Sequence, residues 1–338
     1  MNNDLLRAEN LGKYFPIKRS FIEVLKKKPQ KHLRAVDGVT FNIKEGEILA
    51  LVGESGCGKT TTGRLILRLI EPTFGRVLFE GKDVLSLNKN ELKKFRMRAQ
   101  IIFQDPYESL NPRMHVYATL SEPLIIHKVV STEAERLELV MRVMEEVGLT
   151  PPEEFLFRFP HQLSGGQRQR VALASALILN PKFIVADEPV SMVDMSMRAS
   201  ILNVFLDMKE KRGMSCLFIT HDLAMAKYVS DRIAIMYLGK IVEVGKATEV
   251  VDNPLHPYAK ALIEAVPSPN PKIKMRNPTI KDEIPSPIDL PPSCRFYNRC
   301  SYAKEKCKYS HPDLINVDKE HYVACYLYHD EEEKGTFN

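Results

Sequence analysis

The sequence predicts an α/β domain built on a largely parallel sheet, followed by a smaller and irregular cysteine-bearing extension. Three observations predict it. Short apolar runs recur through the first two-thirds of the chain, separated by helical stretches. One of these runs leads straight into a glycine-rich loop, "GESGCGKTT", that begins at Gly53. After residue 250 the composition changes: proline becomes frequent, and four of the six cysteines gather near the end.

Taken in order, "LRAVDGVTFNIKEGEILALV" (33–52) reads as strands broken by the turn "KEGE". Ile48 to Val52 is apolar throughout, as expected of a strand buried on both faces. "TTTGRLILRLI" after the loop fits a helix. Further buried strands are expected at "IIF" (101–103), "FIVA" (183–186), "LFI" (217–219) and "IAIMY" (233–237). Residues 131–148 have helical periodicity, with Leu137, Val140, Met141, Met144 and Val147 on one face. Thr132 and Glu135 suit a capping box, and Gly148 can end the helix. The proline-rich stretch 266–294 should be extended, a linker or wrapping segment.

Composition narrows the class. A chain of 338 residues suggests about two domains. With 44% hydrophobic and 27% charged residues, it suits a globular protein with a substantial core. No apolar run approaches the ~20 residues needed to cross a bilayer. The start "MNNDLLRAEN" shows no charged segment followed by an apolar one, so a cytoplasmic location is expected by default. The net charge of +5 is mild, although basic residues cluster in "KRSFIEVLKKKPQKHLR" (18–34). That cluster reads as a solvated insertion loop in preference to a surface for anionic lipid or nucleic acid. Aromatic residues are too sparse among these charges to stack single strands.

The glycine-rich loop carries the chemistry. Its pattern is G-x-x-x-x-G-K-[ST], set between a strand and a helix. Backbone N–H groups from Gly53, Glu54, Ser55, Gly56, Cys57 and Gly58 can cradle phosphates. Lys59 reaches the β- and γ-phosphates, Thr60 ligates Mg²⁺, and Thr61 continues the helix whose positive end faces the anion. Cys57 reads as a small residue that could make the loop sensitive to oxidation. "FIVADEP" (183–189) is an apolar strand ending in two carboxylates. Asp187 is placed to hold Mg²⁺ and Glu188 to activate an attacking water.

"LSGGQRQRVALASAL" (163–177) distinguishes the chain. With it, residues 1 to about 250 closely resemble the nucleotide-binding subunits of ABC transporters, whose signature stands intact as Leu163, Ser164, Gly165, Gly166 and Gln167. The resemblance implies an ABC-type P-loop domain with a helical subdomain at about 105–168. It also implies ATP as substrate and hydrolysis as the reaction. Phe15 in "GKYFPI" resembles the aromatic that stacks on adenine, with Tyr14 as the alternative. Gln104 in "IIFQDP" resembles the glutamine that touches Mg²⁺ and the attacking water, beside Thr60 and Asp187. Asp194 in "SMVD" resembles the aspartate of a loop that more often reads SALD. His221 in "FITHD" resembles the histidine that contacts the γ-phosphate. The signature residues and Asp194 would serve ATP held by the opposite subunit of a head-to-tail dimer.

"NPLHPYAKALIEAVPSP" (253–269) resembles the extension of oligopeptide- and dipeptide-permease ATPases, and the 18–34 insertion is closest to their F-type subunit. That implies a second ABC ATPase subunit in a heterodimer, two membrane permease subunits and an extracellular binding protein, with the chain at the cytoplasmic face of the membrane. Nucleic acid is not expected as a partner. Nickel or oligosaccharide import, a soluble non-transport ABC ATPase and a non-hydrolysing regulatory subunit remain as alternatives. Finally, Cys294, Cys300, Cys307 and Cys325 follow the spacing C-x5-C-x6-C-x17-C. A reducing cytosol disfavours disulfides, and the spacing lacks the close pairs usual for zinc. Four thiolates also suit an iron–sulfur cluster, and the resemblance implies [4Fe–4S], with zinc and then free thiols behind it. Arg295, Arg299 and Lys306 could offset the charge of such a group or lie in solvent.

Overall fold

In a computed structural model, residues 4–265 and 285–329 are described. The expected extended stretch 266–294 therefore lies mostly outside the described residues. The elements in chain order begin β1 (Asp4–Pro16), α1 (Phe21–Leu25), β2 (His32–Lys44), β3 (Ile48–Val52), α2 (Lys59–Ile66), β4 (Phe74–Phe79) and β5 (Lys82–Asp83). There follow α3 (Lys89–Arg98), β6 (Ala99–Ile102), α4 (Pro106–Ser109), α5 (Val116–His127), α6 (Glu133–Glu146), α7 (Gly165–Leu177), β7 (Phe183–Asp187) and α8 (Met195–Arg212). The remainder is β8 (Ser215–Thr220), α9 (Leu223–Val229), β9 (Arg232–Tyr237), β10 (Lys240–Lys246), α10 (Ala247–Asp252), α11 (Pro257–Glu264), β11 (Ile315–Asp318) and β12 (His321–Val323).

Two compact units interleave along the chain. One takes Met1–Leu5, Ile43–Ile48 and Ser86–Ile219; the other takes Leu6–Asn42, Leu49–Leu85 and Thr220–Asn338. Within the first, β6, β7 and β8 form a parallel ladder in which Ile184 faces Gln100 on one side and Cys216 on the other. Every residue of β7 and β8 is buried, the apolar runs 183–186 and 216–219 together with the polar ends Asp187, Ser215 and Thr220. The helices α5, α6 and α7 pack in the same unit. Thr132 caps α6 in the expected capping box with Glu135, and Gly148 beyond its end has φ 76°. The apolar face starts later than expected: Val140, Val143, Met144 and Val147 are buried, but Leu137 is exposed.

Within the second unit, β2-β1-β4-β5 form one sheet, while β11-β12-β10-β9-β3 follow one another in another. There β3 and β9 run parallel and β9, β10, β12 and β11 antiparallel. The 18–34 stretch is a loop only to residue 31, since His32 to Arg34 already belong to β2; it carries the single turn α1, whose Phe21, Ile22 and Leu25 are exposed. The extension is less irregular than its composition suggests. The β11–β12 hairpin joins β10 through the pairs Glu243–Val323 and Val244–Tyr322. Cys294 and Phe296 enter a core shared with Tyr237, Tyr258, Ile233 and Val242, with Tyr297, Cys300 and Cys307 against it. The described residues of the extension thus pack on the sheet's apolar face and share its core. Among the described residues no helix is long and apolar enough to cross a membrane.

Candidate functional site

The phosphate loop belongs to the second unit, between β3 and α2. Gly56 and Gly58 have φ of 78° and 111°, a region that side-chain-bearing residues rarely adopt. A Cβ on Gly58 would stand 2.1 Å from the Ala35 carbonyl oxygen, and one on Gly53 would stand 2.2 Å from that of Met236. Glycine at both positions lets the loop lie directly on neighbouring backbone. Lys59 is buried, its Nζ donating to the carbonyls of Gly53 (2.7 Å) and Glu54 (3.1 Å). The ammonium is thus held over the loop. Thr60 and Thr61, on the first turn of α2, are partly buried, while Ser55 and Gly56 are exposed at the rim. Cys57 is buried, as the small packed residue expected there, and burial pushes its thiol pKa up, which disfavours the thiolate that oxidation would need.

Glu54 is fixed from three directions. Its N–H donates to the Tyr258 hydroxyl (2.9 Å), and its carboxylate takes a two-pronged bond from the Arg299 guanidinium (2.8 and 3.1 Å). Its carbonyl receives Lys59. Nearby in the same unit, the Tyr14 hydroxyl donates to Asp37 (2.5 Å), which also pairs with Arg295. Burial and then the bond to Asp37 push the Tyr14 phenol up to about 12. Burial would raise Asp37, but the Tyr14 bond, Lys240 and Arg295 outweigh it and hold its carboxyl low. Phe15, one residue on, exposes its ring, with the Lys13 ammonium 5.2 Å from its centre. His221 follows β8 and is exposed, while Asp222 caps α9 by accepting from Ala224 and Met225.

The first unit gathers another set. Asp187 ends β7 and is buried. Glu188 follows with φ 46°, its N–H bonded to the Ile219 carbonyl (2.9 Å). Gln104 Nε2 donates to Glu188 Oε2 (3.1 Å), so these two expected residues do meet. Ser164 caps α7: its Oγ accepts from Gln167 N–H (3.3 Å), and Gln167 Oε1 accepts from Ser164 N–H (2.9 Å). Leu163 is buried beneath the cap, while Gly165 and Gly166 form the first turn. Asp194 precedes α8, exposed and without a capping bond from its side chain.

Two buried cations of α7 were not singled out from sequence. Arg168 donates to the carbonyls of Leu163 and Pro160 and lies 3.9 Å over the Tyr107 ring. Arg170 donates to the Val147 carbonyl and to Ser200 Oγ (2.7 Å). Two charges in a helix otherwise buried nearly all round were the available signal. The buried trio Glu243, His256 and His321 was missed too: Glu243 accepts from the N–H groups of Leu255 and His256 and bonds His321 Nε2.

Cys294, Cys300, Cys307 and Cys325 all line one cavity of about 20 Å³ in the second unit, together with Phe296, Tyr297 and Tyr326. Burial, and less strongly the neighbouring thiols, push up the pKa of Cys294 (to about 12), Cys300 and Cys325 (to about 11). Among the described residues, however, no group of three or more His, Cys, Asp or Glu stands at metal-holding spacing. Of the intervening cations, two are out of solvent and Lys306 is exposed. Arg295 and Arg299 are buried on Asp37 and Glu54, and Lys306 lies 4.7 Å from the centre of the Tyr326 ring.

With these features in place, similarity to known proteins is decisive. The ABC transporter family profile matches residues 36–191. The profile described as the oligopeptide/dipeptide transporter C-terminal region matches residues 242–307. The putative oligopeptide transport ATP-binding protein YkfD of Bacillus subtilis is 46% identical over 307 residues, 90% of this chain and 93% of that one. The chain belongs to the ATP-binding subunits of ABC transporters, in the oligopeptide/dipeptide group. Other members of the group are similarly near. The dipeptide transport ATP-binding protein DppF of Haemophilus influenzae is 44% identical over 326 residues, 96% of this chain and 97% of that one. Among solved structures, the ABC cassette MJ0796, seen as a post-hydrolysis dimer bound to ADP and phosphate, superposes with TM-score 0.63 at 29% identity. It covers 72% of this chain and 98% of its own length. The general activity of this ABC subunit is ATP hydrolysis.

Proposed function

We propose that the chain powers import of oligopeptides or dipeptides through a membrane permease. The observation that carries this is the match of residues 242–307 to the oligopeptide/dipeptide C-terminal region. We read residues 1–250 as the ATPase domain, with a helical subdomain at about 105–168, and 251–338 as the extension. Lys59 and the loop amides bind the ATP phosphates. Thr60, Asp187 and Gln104 hold Mg²⁺, and Phe15 meets adenine, a reading supported by its exposed ring and the engaged hydroxyl of Tyr14. Glu188 takes the proton of the attacking water, with Gln104 steadying its carboxylate and His221 on the γ-phosphate. Leu163 to Gln167 and Asp194 meet ATP of a second, non-identical ABC subunit. That pair sits at the cytoplasmic face of the membrane on two permease subunits, fed by an extracellular binding protein.

We assign the four cysteines a [4Fe–4S] cluster, with zinc as the alternative. The support is their convergence on one cavity and the suitability of four thiolates for such a cluster; the four would have to draw closer than they stand here to hold it. The group supplies a covalent staple for a segment with few apolar residues. The deciding experiment reconstitutes the chain with its partner ATPase, permeases and binding protein in vesicles. Uptake of a labelled tripeptide that needs ATP, and is lost in Glu188→Gln, is expected. ATP-dependent uptake of nickel or an oligosaccharide instead would refute the peptide assignment.

A further inference from the structure

Arg295 and Arg299 stand next to two of the cysteines, and their side chains are only 4% and 8% exposed. Each reaches away from the cysteines and ends on a carboxylate in a nucleotide-binding stretch of the same unit. Arg299 grips Glu54, the second residue of the phosphate loop, with both terminal nitrogens, while Nη1 also donates to the Tyr237 hydroxyl (3.3 Å). Arg295 holds the Pro291 carbonyl (2.8 Å) with Nη1 and Asp37 with Nη2. Asp37 holds the Tyr14 hydroxyl, immediately before Phe15.

Fastening the extension does not require these pairs. It already has strand pairing to β10 and the aromatic cluster of Tyr237, Tyr258 and Phe296. Burying two guanidinium–carboxylate pairs, here with only Glu54 still 23% exposed, costs desolvation and rarely gains net stability over an apolar contact. What a two-pronged pair does supply is fixed geometry. At Glu54 that geometry passes directly to the loop, because the same residue's carbonyl holds Lys59 and its N–H is held by Tyr258.

We propose that Arg299 is a positioning residue of the ATP site, fixing the phosphate loop through Glu54, and that Arg295 fixes the adenine-side aromatic pair through Asp37 and Tyr14. The cysteine-bearing segment thereby sets the ATP affinity of its own chain. This rests on assigning the loop to ATP, which the wild-type chain tests by itself: failure of wild type to bind ATP would strike that assignment.

The experiment titrates the purified full-length chain with Mg-ATP and, separately, with inorganic tripolyphosphate, which has no adenine. Arg299→Gln should weaken both ligands about tenfold, in the range for loss of a charge-assisted bond at a preorganised site. Arg299→Lys, which keeps the charge but not the fork, should fall between. Arg295→Gln should weaken ATP several-fold and leave tripolyphosphate within about twofold. Adding Glu54→Gln to Arg299→Gln should bring little further loss. If Arg299→Gln does not fold, that double variant, in which neither charge is left buried alone, replaces it with the same tenfold expectation. Wild-type affinity in the Arg299 variants, or equal losses of ATP and tripolyphosphate in Arg295→Gln, would overturn the proposal.

Discussion

Removing the carboxyl of Glu243 should release the extension from the sheet. Glu243 is fully buried in mid-β10 and satisfies three donors or partners at once. Oε1 takes the Leu255 N–H at 3.0 Å and His321 Nε2 at 2.8 Å, and Oε2 takes the His256 N–H at 2.7 Å. Glu243→Ala leaves two amides and an imidazole without it. At about 1–3 kcal/mol per buried orphan, with partial relaxation, the loss should be about 4 kcal/mol. Glu243→Gln keeps the shape but turns an NH₂ toward one of the donors, so it should lose about 1–2 kcal/mol. Hydrogen exchange on the full-length chain reads this locally, at the amides of 240–258 and 315–326. Protection there should fall in the order wild type, Gln, Ala, with the β6–β7–β8 amides unchanged. An Ala variant losing less than about 1 kcal/mol, or equal to Gln, would refute the three-way satisfaction of this carboxyl.

Gly58→Ala should weaken Mg-ATP binding at least about tenfold by calorimetry, since a Cβ meets a backbone carbonyl at φ 111°; unchanged affinity would remove the close-approach argument. Glu188→Gln should retain ATP binding and hydrolyse about 10²–10⁴-fold more slowly in a phosphate-release assay, and wild-type turnover would refute the base assignment. Arg170→Met should lower stability to urea by about 2 kcal/mol through the stranded Val147 carbonyl and Ser200, and a neutral result would show that these bonds contribute nothing. His256 and His311 are held at about 3, by burial first and then by Lys260 for the former and Lys240 and Arg295 for the latter. Their depressed values mean full stability above about pH 6.5 and progressive loss as pH falls toward 3, at up to about 1.4 kcal/mol per unit and histidine. Replacing both with Gln should flatten the acid limb of urea unfolding, and an unchanged limb would refute the assignment.

Legibility followed how local the physics was. β3, β7, β8 and β9 are buried on both faces, so continuous apolar runs announced them. The phosphate loop was marked by its glycine spacing and Glu188 by the apolar strand before it, whereas Gln104 and residues 163–167 were picked out by resemblance and the capping of Ser164 by Gln167 was not foreseen. β10 was missed because "KIVEVGK" places a charged residue and a glycine where an apolar run was sought. The partners that make Glu243 acceptable there, the N–H groups of Leu255 and His256 and the His321 ring, lie 12, 13 and 78 residues away in sequence. β1 escaped because a left-handed Asn10 (φ 47°) and a register shift break its alternation. Leu137 misled because periodicity fixes a helix face but not where its neighbours begin. Arg295 and Arg299 looked like companions of the cysteines, since their carboxylates lie 258 and 245 residues away in sequence.

The β11–β12 hairpin has a consequence for how this chain can be handled. Without it, β10 would present a free row of N–H and C=O groups flanked by Ile241, Val242 and Val244, an invitation to pair with a second molecule. A chain truncated before β11 should therefore precipitate or form intermolecular sheet even with its nucleotide loop intact. The hairpin works as a selvedge, the finished border that keeps the sheet from joining its neighbour's.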